Sequence, residues 1–250
     1  MPYLNAPGVR LHVQELGAGP PVVMLHGLLL GSLAAWYFTA APVLARESRV
    51  VLYDLRGHGR SERVGGGYDS DTQVGDLEAV TAELDTPLTL VGHSFGALVA
   101  LKFALRHPRR VARLALVELP LPPGSAGDID GFLARSPEEA LDALPEAVLK
   151  SAQGGGRAAR RLLEHLDFLA SRSTLLADLA AEPDIPDAVL AGLHCPVLLA
   201  YGKDSACRPV GERLAGVLPD ARLAVLEGGH YLHLDATEAL TDLLRDFCRA

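Results

Sequence analysis

The sequence predicts an α/β fold with a mostly parallel, doubly wound central sheet, and three observations lead there. Short β-rich runs alternate with longer helical patterns along most of the chain. Several runs, such as Val22-Val23-Met24-Leu25, are apolar at every position, the pattern of strands covered on both faces. The chain has 250 residues, 49% hydrophobic and 22% charged, enough to bury a large core without a disulfide or metal staple.

In chain order, strands are expected at Val9–Glu15, Pro21–Leu25, Arg49–Tyr53, Pro87–Val91, Val111–Val117, Pro196–Tyr201 and Ala221–Leu226. Helices are expected between them at Ala34–Ala45, Thr72–Leu84, Phe95–Arg106, Pro209–Leu218 and Thr237–Cys248. One interval departs from the alternation, because Leu121 to Leu193 holds no convincing strand. It opens with Pro120-Leu121-Pro122-Pro123-Gly124 and then reads as helices near Pro137–Ser151, Ala158–Ser171 and Thr174–Ala181. A helical insertion of this kind forms a lid over one edge of the sheet. Gly154-Gly155-Gly156 is expected as a loop inside it, since a phosphate-binding loop also needs a preceding strand and a following Lys-Ser/Thr.

Charge and composition exclude several classes. With 23 basic and 31 acidic residues the formal charge is −8, which argues against nucleic-acid partners that depend on phosphate neutralisation. Leu16 to Ala45 contains no charged residue but is broken by Gly17, Gly19, Pro20, Pro21, Gly27, Gly31 and Pro42, so no membrane span is expected there. Met1 to Arg10 lacks the basic and apolar regions of a secretory signal, and cytoplasmic residence is the expectation. Cys195, Cys207 and Cys248 form neither an even set nor a CxxC pair, and no GxGxxG loop appears in context. Neither a metal nor an organic cofactor is therefore expected.

The strongest chemical signal is Gly92-His93-Ser94-Phe95-Gly96, set between an expected strand and an expected helix. A turn this tight needs glycines flanking the serine, and it holds the Ser94 hydroxyl out at a helix N-terminus, where developing negative charge is favoured. A serine hydroxyl needs a base, and His230 is best placed, after the last strand and the flexible Glu227-Gly228-Gly229. His233 reads as a packed or helix-start residue and His58 as a turn residue of Arg56-Gly57-His58-Gly59. The carboxylate that orients the base is expected at Asp204, after the Pro196–Tyr201 strand, with Glu118 at the end of Val111–Val117 as the fallback. Asp54 and Asp235 read as a strand-end loop residue and a helix cap. The oxyanion donors are expected to be the backbone N–H groups of Leu28, after His26-Gly27, and of Phe95. His93 should point away from the hydroxyl, into the interior. With Trp36 it is nevertheless the candidate substrate contact.

Taken together, His26-Gly27, Asp54-Leu55-Arg56-Gly57-His58-Gly59-Arg60-Ser61, Gly92-His93-Ser94-Phe95-Gly96, Gly202-Lys203-Asp204 and Gly228-Gly229-His230 resemble the α/β-hydrolase superfamily in content and order. The resemblance implies a nucleophile at Ser94, an acid at Asp204, a base at His230, and an oxyanion hole at Leu28 and Phe95. It also implies a core of residues 1–120 and 194–250 with residues 121–193 as a helical cap. Members that share the DxRGxGxS loop and the cap include esterases, lactonases, carbon–carbon bond hydrolases and cofactor-free haloperoxidase-like proteins. Serine at 94 departs from haloalkane dehalogenases and epoxide hydrolases, which carry aspartate there, and Ala97 stands where glycine is common. The expected function is hydrolysis of a carboxylic ester, thioester or lactone through an acyl-enzyme. The Leu- and Ala-rich cap points to a small-molecule substrate with an apolar acyl group. The alternatives are a carbon–carbon hydrolase of a diketone-type substrate, a biosynthetic acyl-transfer or cyclisation enzyme using the same triad, or a non-catalytic ligand-binding protein on the same scaffold.

Overall fold

The computed structural model describes residues 2–85, 87–122 and 156–249. Among them, β1 (Tyr3–Ala6), β2 (Val9–Leu16), β3 (Pro21–Leu25), β4 (Arg49–Tyr53), β5 (Leu88–His93), β6 (Val111–Val117), β7 (Val197–Gly202) and β8 (Ala221–Leu226) form one sheet. Its order is β1-β2-β4-β3-β5-β6-β7-β8. β1 and β2 pair antiparallel, as do β2 and β4, and from β4 to β8 every pairing is parallel. β1 was not expected: it is short and half-exposed, so its periodicity is weak, and it turns into β2 at Pro7-Gly8, where Gly8 has φ +75°.

The helices in chain order are α1 (Ala34–Tyr37), α2 (Ala41–Leu44), α3 (Ser70–Val80), α4 (Phe95–Arg106), α5 (Gly156–Ser171), α6 (Leu175–Ala181), α7 (Asp187–Leu190), α8 (Arg208–Val217), α9 (Leu232–Asp235) and α10 (Thr237–Arg249). The single helix expected over Ala34–Ala45 is two, α1 and α2. Pro42 has no N–H to continue the first helix and instead sits in the first turn of the second, and the Thr39 hydroxyl caps the Ala35 carbonyl at 2.5 Å. α3 starts earlier than expected because the Asp69 side chain accepts the Thr72 N–H at 2.8 Å as its N-cap. It also stops at Val80 rather than Leu84. Between β6 and β7 the described residues contain helices and no strand. The helix expected at Pro137–Ser151 lies outside the described residues, as does most of the glycine run, whose Gly156 begins α5.

Strand alternation divides the core. Along β3, Val23 and Leu25 face a cluster with Val74 and Leu77 of α3, Leu98 and Phe103 of α4, and Leu214 of α8. Val22 and Met24 face the other side, against Trp36 of α1, Leu44 of α2, and Leu240 and Leu244 of α10. Helices thus cover both faces, which is why β3, β5 and β7 are buried at every position.

At the C-terminal ends of β3 and β4, buried polar groups lock the loops together. The Asp54 carboxylate accepts the backbone N–H of Leu33 at 2.7 Å and of Arg60 at 2.9 Å, and pairs with His12 Nδ1 at 2.8 Å. His26 donates from Nδ1 to the Gly27 carbonyl at 2.7 Å and accepts the Leu55 N–H on Nε2 at 3.0 Å. Arg56 and Asp76 form a buried two-point pair at 2.7 and 2.8 Å.

Burial holds His26, His58 and His93 neutral by lowering their pKa values, and it lowers His165 and His233 to about 4. Below about pH 6.5 the unfolded chain binds protons at these positions that the folded chain refuses, so stability declines as pH falls. Thermal unfolding followed by circular dichroism should therefore show Tm decreasing steadily from about pH 7 to about pH 5. A Tm that is flat or rising over that window would mean that these rings are charged in the fold.

Candidate active site

Ser94 stands between β5 and α4 with φ +53° and ψ −125°, a left-handed conformation that a non-glycine residue adopts at a cost. Its N–H donates to the Val117 carbonyl of β6 at 2.9 Å, which holds the turn against the neighbouring strand. The turn is as crowded as the flanking glycines imply. A Cβ at Gly92 would lie 2.5 Å from Ala97 Cα, and one at Gly96 would strike the His26 carbonyl oxygen.

His230 reaches this turn from the loop after β8. Its Nε2 lies 2.9 Å from Ser94 Oγ. The loop is fixed from three sides: Gly229 N–H donates to Asp235 Oδ2 at 3.0 Å, Asp204 N–H donates to the Gly228 carbonyl at 3.0 Å, and His93 Nε2 donates to the His230 carbonyl at 2.8 Å.

The carboxylate on the far side of the ring belongs to Glu118, whose Oε2 is 3.1 Å from His230 Nδ1. This corrects the expectation for Asp204. The Asp204 side chain is exposed, and only its backbone braces the histidine loop. Glu118 follows β6 directly, with φ +55°, and is fully buried. A buried carboxylate must have its oxygens satisfied. Here the Gly202 N–H donates to Oε1 at 2.5 Å, and the Ser205 hydroxyl donates to Oε2. The reason for the difference is depth: β6 adjoins β5, so the end of β6 lies beside the serine, whereas the residue after Gly202-Lys203 has already turned out to solvent.

The strand-to-helix turn after β3 lies against the serine. A Cβ at Gly27 would meet Ser94 Cβ and His93 Nδ1 at 3.0 Å, so glycine lets this backbone approach without pushing either aside. The N–H groups of Leu28 and Phe95, the expected oxyanion donors, have no acceptor among the described residues. Leu29 follows with φ +62° and is held from two directions. His58 donates from Nδ1 to the Arg56 carbonyl at 2.9 Å, which leaves Nε2 to accept the Leu29 N–H at 3.1 Å. His165 of α5 donates from Nε2 to the Leu29 carbonyl at 2.9 Å, and the two imidazoles meet edge to face. Nothing in the sequence announced His165, since a helical histidine reveals its partner only once the helix is placed.

Trp36 is corrected as a substrate contact. Trp36 is entirely buried, donating its indole N–H to the Leu25 carbonyl at 2.9 Å within the core beneath the sheet edge. His93 is buried too and braces the histidine loop. A cavity of about 40 Å³ bounded by Gly27, Leu28, His93, Tyr231 and His233 adjoins this brace. Behind the ring of His230, Cys207 Sγ lies 3.7 Å from Nδ1. Ligand atoms of Glu118, Cys207 and His230 all fall within 4.8 Å of one another, a grouping that no spacing in the sequence discloses. No described helix is long and apolar enough to cross a membrane.

Comparison with known proteins agrees with this architecture. Residues 20–161 match the alpha/beta hydrolase fold family. The pimeloyl-(acyl-carrier protein) methyl ester esterase of Chromobacterium violaceum is 36% identical over 230 residues, spanning 86% of this chain and 88% of its own. An esterase from Rhodococcus sp. ECU1013 superposes with a TM-score of 0.80 at 26% identity, covering 99% of this chain and 98% of that one. The enol-lactonase from Burkholderia xenovorans LB400 superposes with a TM-score of 0.77 at 25% identity over the whole of both chains. With a family match across more than half of its length and a relative 36% identical over 86% of it, the chain belongs to the alpha/beta hydrolase family and is an enzyme of hydrolase type.

Proposed function

We propose that this enzyme cleaves a carboxylic ester, thioester or lactone through an acyl-enzyme formed on Ser94. The observation that carries the reading is the continuous hydrogen-bonded line from Ser94 Oγ to His230 Nε2 at 2.9 Å and from His230 Nδ1 to Glu118 Oε2 at 3.1 Å. With its proton on Nδ1, facing Glu118, His230 presents a free lone pair at Nε2. It takes the hydroxyl proton as Ser94 attacks the carbonyl carbon and returns it to the leaving alcohol or thiol. Glu118 holds that tautomer and offsets the positive charge that the ring acquires. The Leu28 and Phe95 N–H groups receive the tetrahedral oxyanion, a use consistent with their lack of other acceptors. Water then repeats the sequence on the acyl-enzyme.

Residues 121–193 serve in this reading as the cap over the site, contributing the apolar wall for the acyl group. His165 is the positioning residue that links cap and site, because its hydrogen bond to the Leu29 carbonyl fixes the backbone one residue beyond the Leu28 donor. Two neutral histidines, His58 and His165, thus hold a left-handed residue that has no glycine to ease it.

A panel of esters, thioesters, lactones and diketones, with Ser94→Ala as control, tests the substrate class. Ser94→Ala should abolish turnover of the best ester while the far-ultraviolet spectrum stays that of the parent. Preference for the diketones over every ester would sink the ester reading. Glu118→Gln should lower kcat by about 10²- to 10⁴-fold through loss of the tautomer restraint, and Asp204→Asn should leave kcat within about twofold, since surface changes carry little energy. The reverse ranking in steady-state assays would return the acid role to Asp204. His165→Leu should lower kcat by about tenfold or more with little change in KM, as expected for a misplaced oxyanion donor. His165→Gln, which keeps a side-chain N–H donor, should recover part of the loss, and an unchanged kcat in His165→Leu would remove this contact from the mechanism.

A further inference from the structure

The face of His230 turned away from Ser94 is lined by two further groups able to bind a metal. Glu118 Oε2 lies 3.1 Å from Nδ1, and Cys207 Sγ lies 3.7 Å from it. A tetrahedral zinc ion bound through one sulfur at about 2.3 Å and through nitrogen and oxygen at about 2.0–2.1 Å would set its ligands about 3.3 Å apart for N to O and about 3.6 Å apart for N to S. The two observed separations are close to those edges, and all three ligand atoms lie within 4.8 Å of one another. The groups also come from three separate elements: the end of β6, the N-terminus of α8 and the loop after β8.

We propose that Glu118, Cys207 and His230 form a thiophilic-cation site through which zinc or cadmium ions switch the enzyme off. The inference rests on the reading of His230 as the base. The cation takes the Nδ1 lone pair, the Cys207 thiolate and Glu118 Oε2. The thiol proton leaves to solvent, and the imidazole proton moves from Nδ1 to Nε2. Charge balances: the neutral thiol, neutral imidazole and carboxylate together carry −1, and after gaining a dication and losing a proton the site carries zero. That neutrality favours occupation of a site whose carboxylate and thiol are buried. Glu118 keeps its Oε1 bond to the Gly202 N–H, and the Ser205 hydroxyl beside Oε2, or a water, completes the coordination. The three ligand groups are buried or half-buried, with Glu118 and Cys207 closed to solvent and His230 23% exposed.

The consequence for catalysis is set by the tautomer. With metal on Nδ1 the proton must sit on Nε2, so the ring donates toward Ser94 Oγ and cannot accept its proton. Inhibition is therefore complete in the bound state, and it reverses on removing the ion.

The test titrates the full-length enzyme with cadmium chloride or zinc chloride. The parent should lose ester turnover and fluorophosphonate labelling of Ser94, and EDTA should restore both. Cadmium should also produce the ultraviolet cadmium–thiolate charge-transfer band. Cys207→Ala and Cys207→Ser should keep parental basal activity, lack that band, and need at least about tenfold more cation for half-inhibition, because losing a ligand costs no less than losing an outer-shell partner. The band should persist in Ser94→Ala, which separates the metal site from the catalytic reading: an enzyme that turns over no ester but shows a Cys207-dependent band keeps the site and loses the mechanism. A parent insensitive to both ions, or equal inhibition of parent and both Cys207 variants, would overturn the proposal.

Discussion

The site depends on backbone held in the left-handed region by packing. Leu29, Ser94 and Glu118 are the non-glycine residues with positive φ among the described residues, at +62°, +53° and +55°. Each conformation costs energy that side chains ordinarily avoid, and each is over-determined by its surroundings. Ser94 is pinned by its N–H on the Val117 carbonyl and Glu118 by its N–H on the Ala200 carbonyl. Leu29 is gripped at both its N–H and its carbonyl by histidines. The parallel sheet is the common cause, since β3, β5 and β6 end side by side and the three strained residues follow those ends.

What the sequence disclosed follows from how locally each feature is encoded. The serine turn is written in five consecutive residues, because the steric conflict that its glycines relieve is itself local. His230 was legible because a glycine pair after a strand marks a loop free to place its next side chain. The acid was not settled in the same way. Asp204 and Glu118 both end strands, and nothing within a few residues of either records how deep its carboxylate lies. Only the adjacency of β6 to β5 decides that Glu118 is the carboxylate behind the ring. Trp36 shows the same limit from the other side: an aromatic near an active-site turn looks like a substrate contact until the alternation of β3 sends its face of the sheet into the core.

Histidine is used here mainly as a neutral connector. His26 joins the turn after β3 to the loop after β4, His58 and His165 hold Leu29, and His93 supports the loop of the base. A ring with one donor and one acceptor suits His26 and His58, each of which satisfies both a backbone carbonyl and a backbone N–H in a dry interior. Once buried, the histidine side chain becomes a fixed link whose neutral form is favoured. Chemistry and scaffolding at this site therefore draw on one residue type, distinguished by burial.

The rung between His93 of β5 and Val117 of β6 sets the residues before Ser94 and Glu118 opposite each other. Nucleophile and carboxylate are therefore carried by neighbouring strands of one ladder and cannot drift apart without breaking the sheet, whereas the base arrives on a loop two strands further along. Mechanically, the site is a fork built into the ladder, with a third arm braced against it by hydrogen bonds. The segment after β7 reaches the site through backbone contacts, the Ser205 hydroxyl and Cys207, so the exposed position of Asp204 is free of the duty of placing a reacting group.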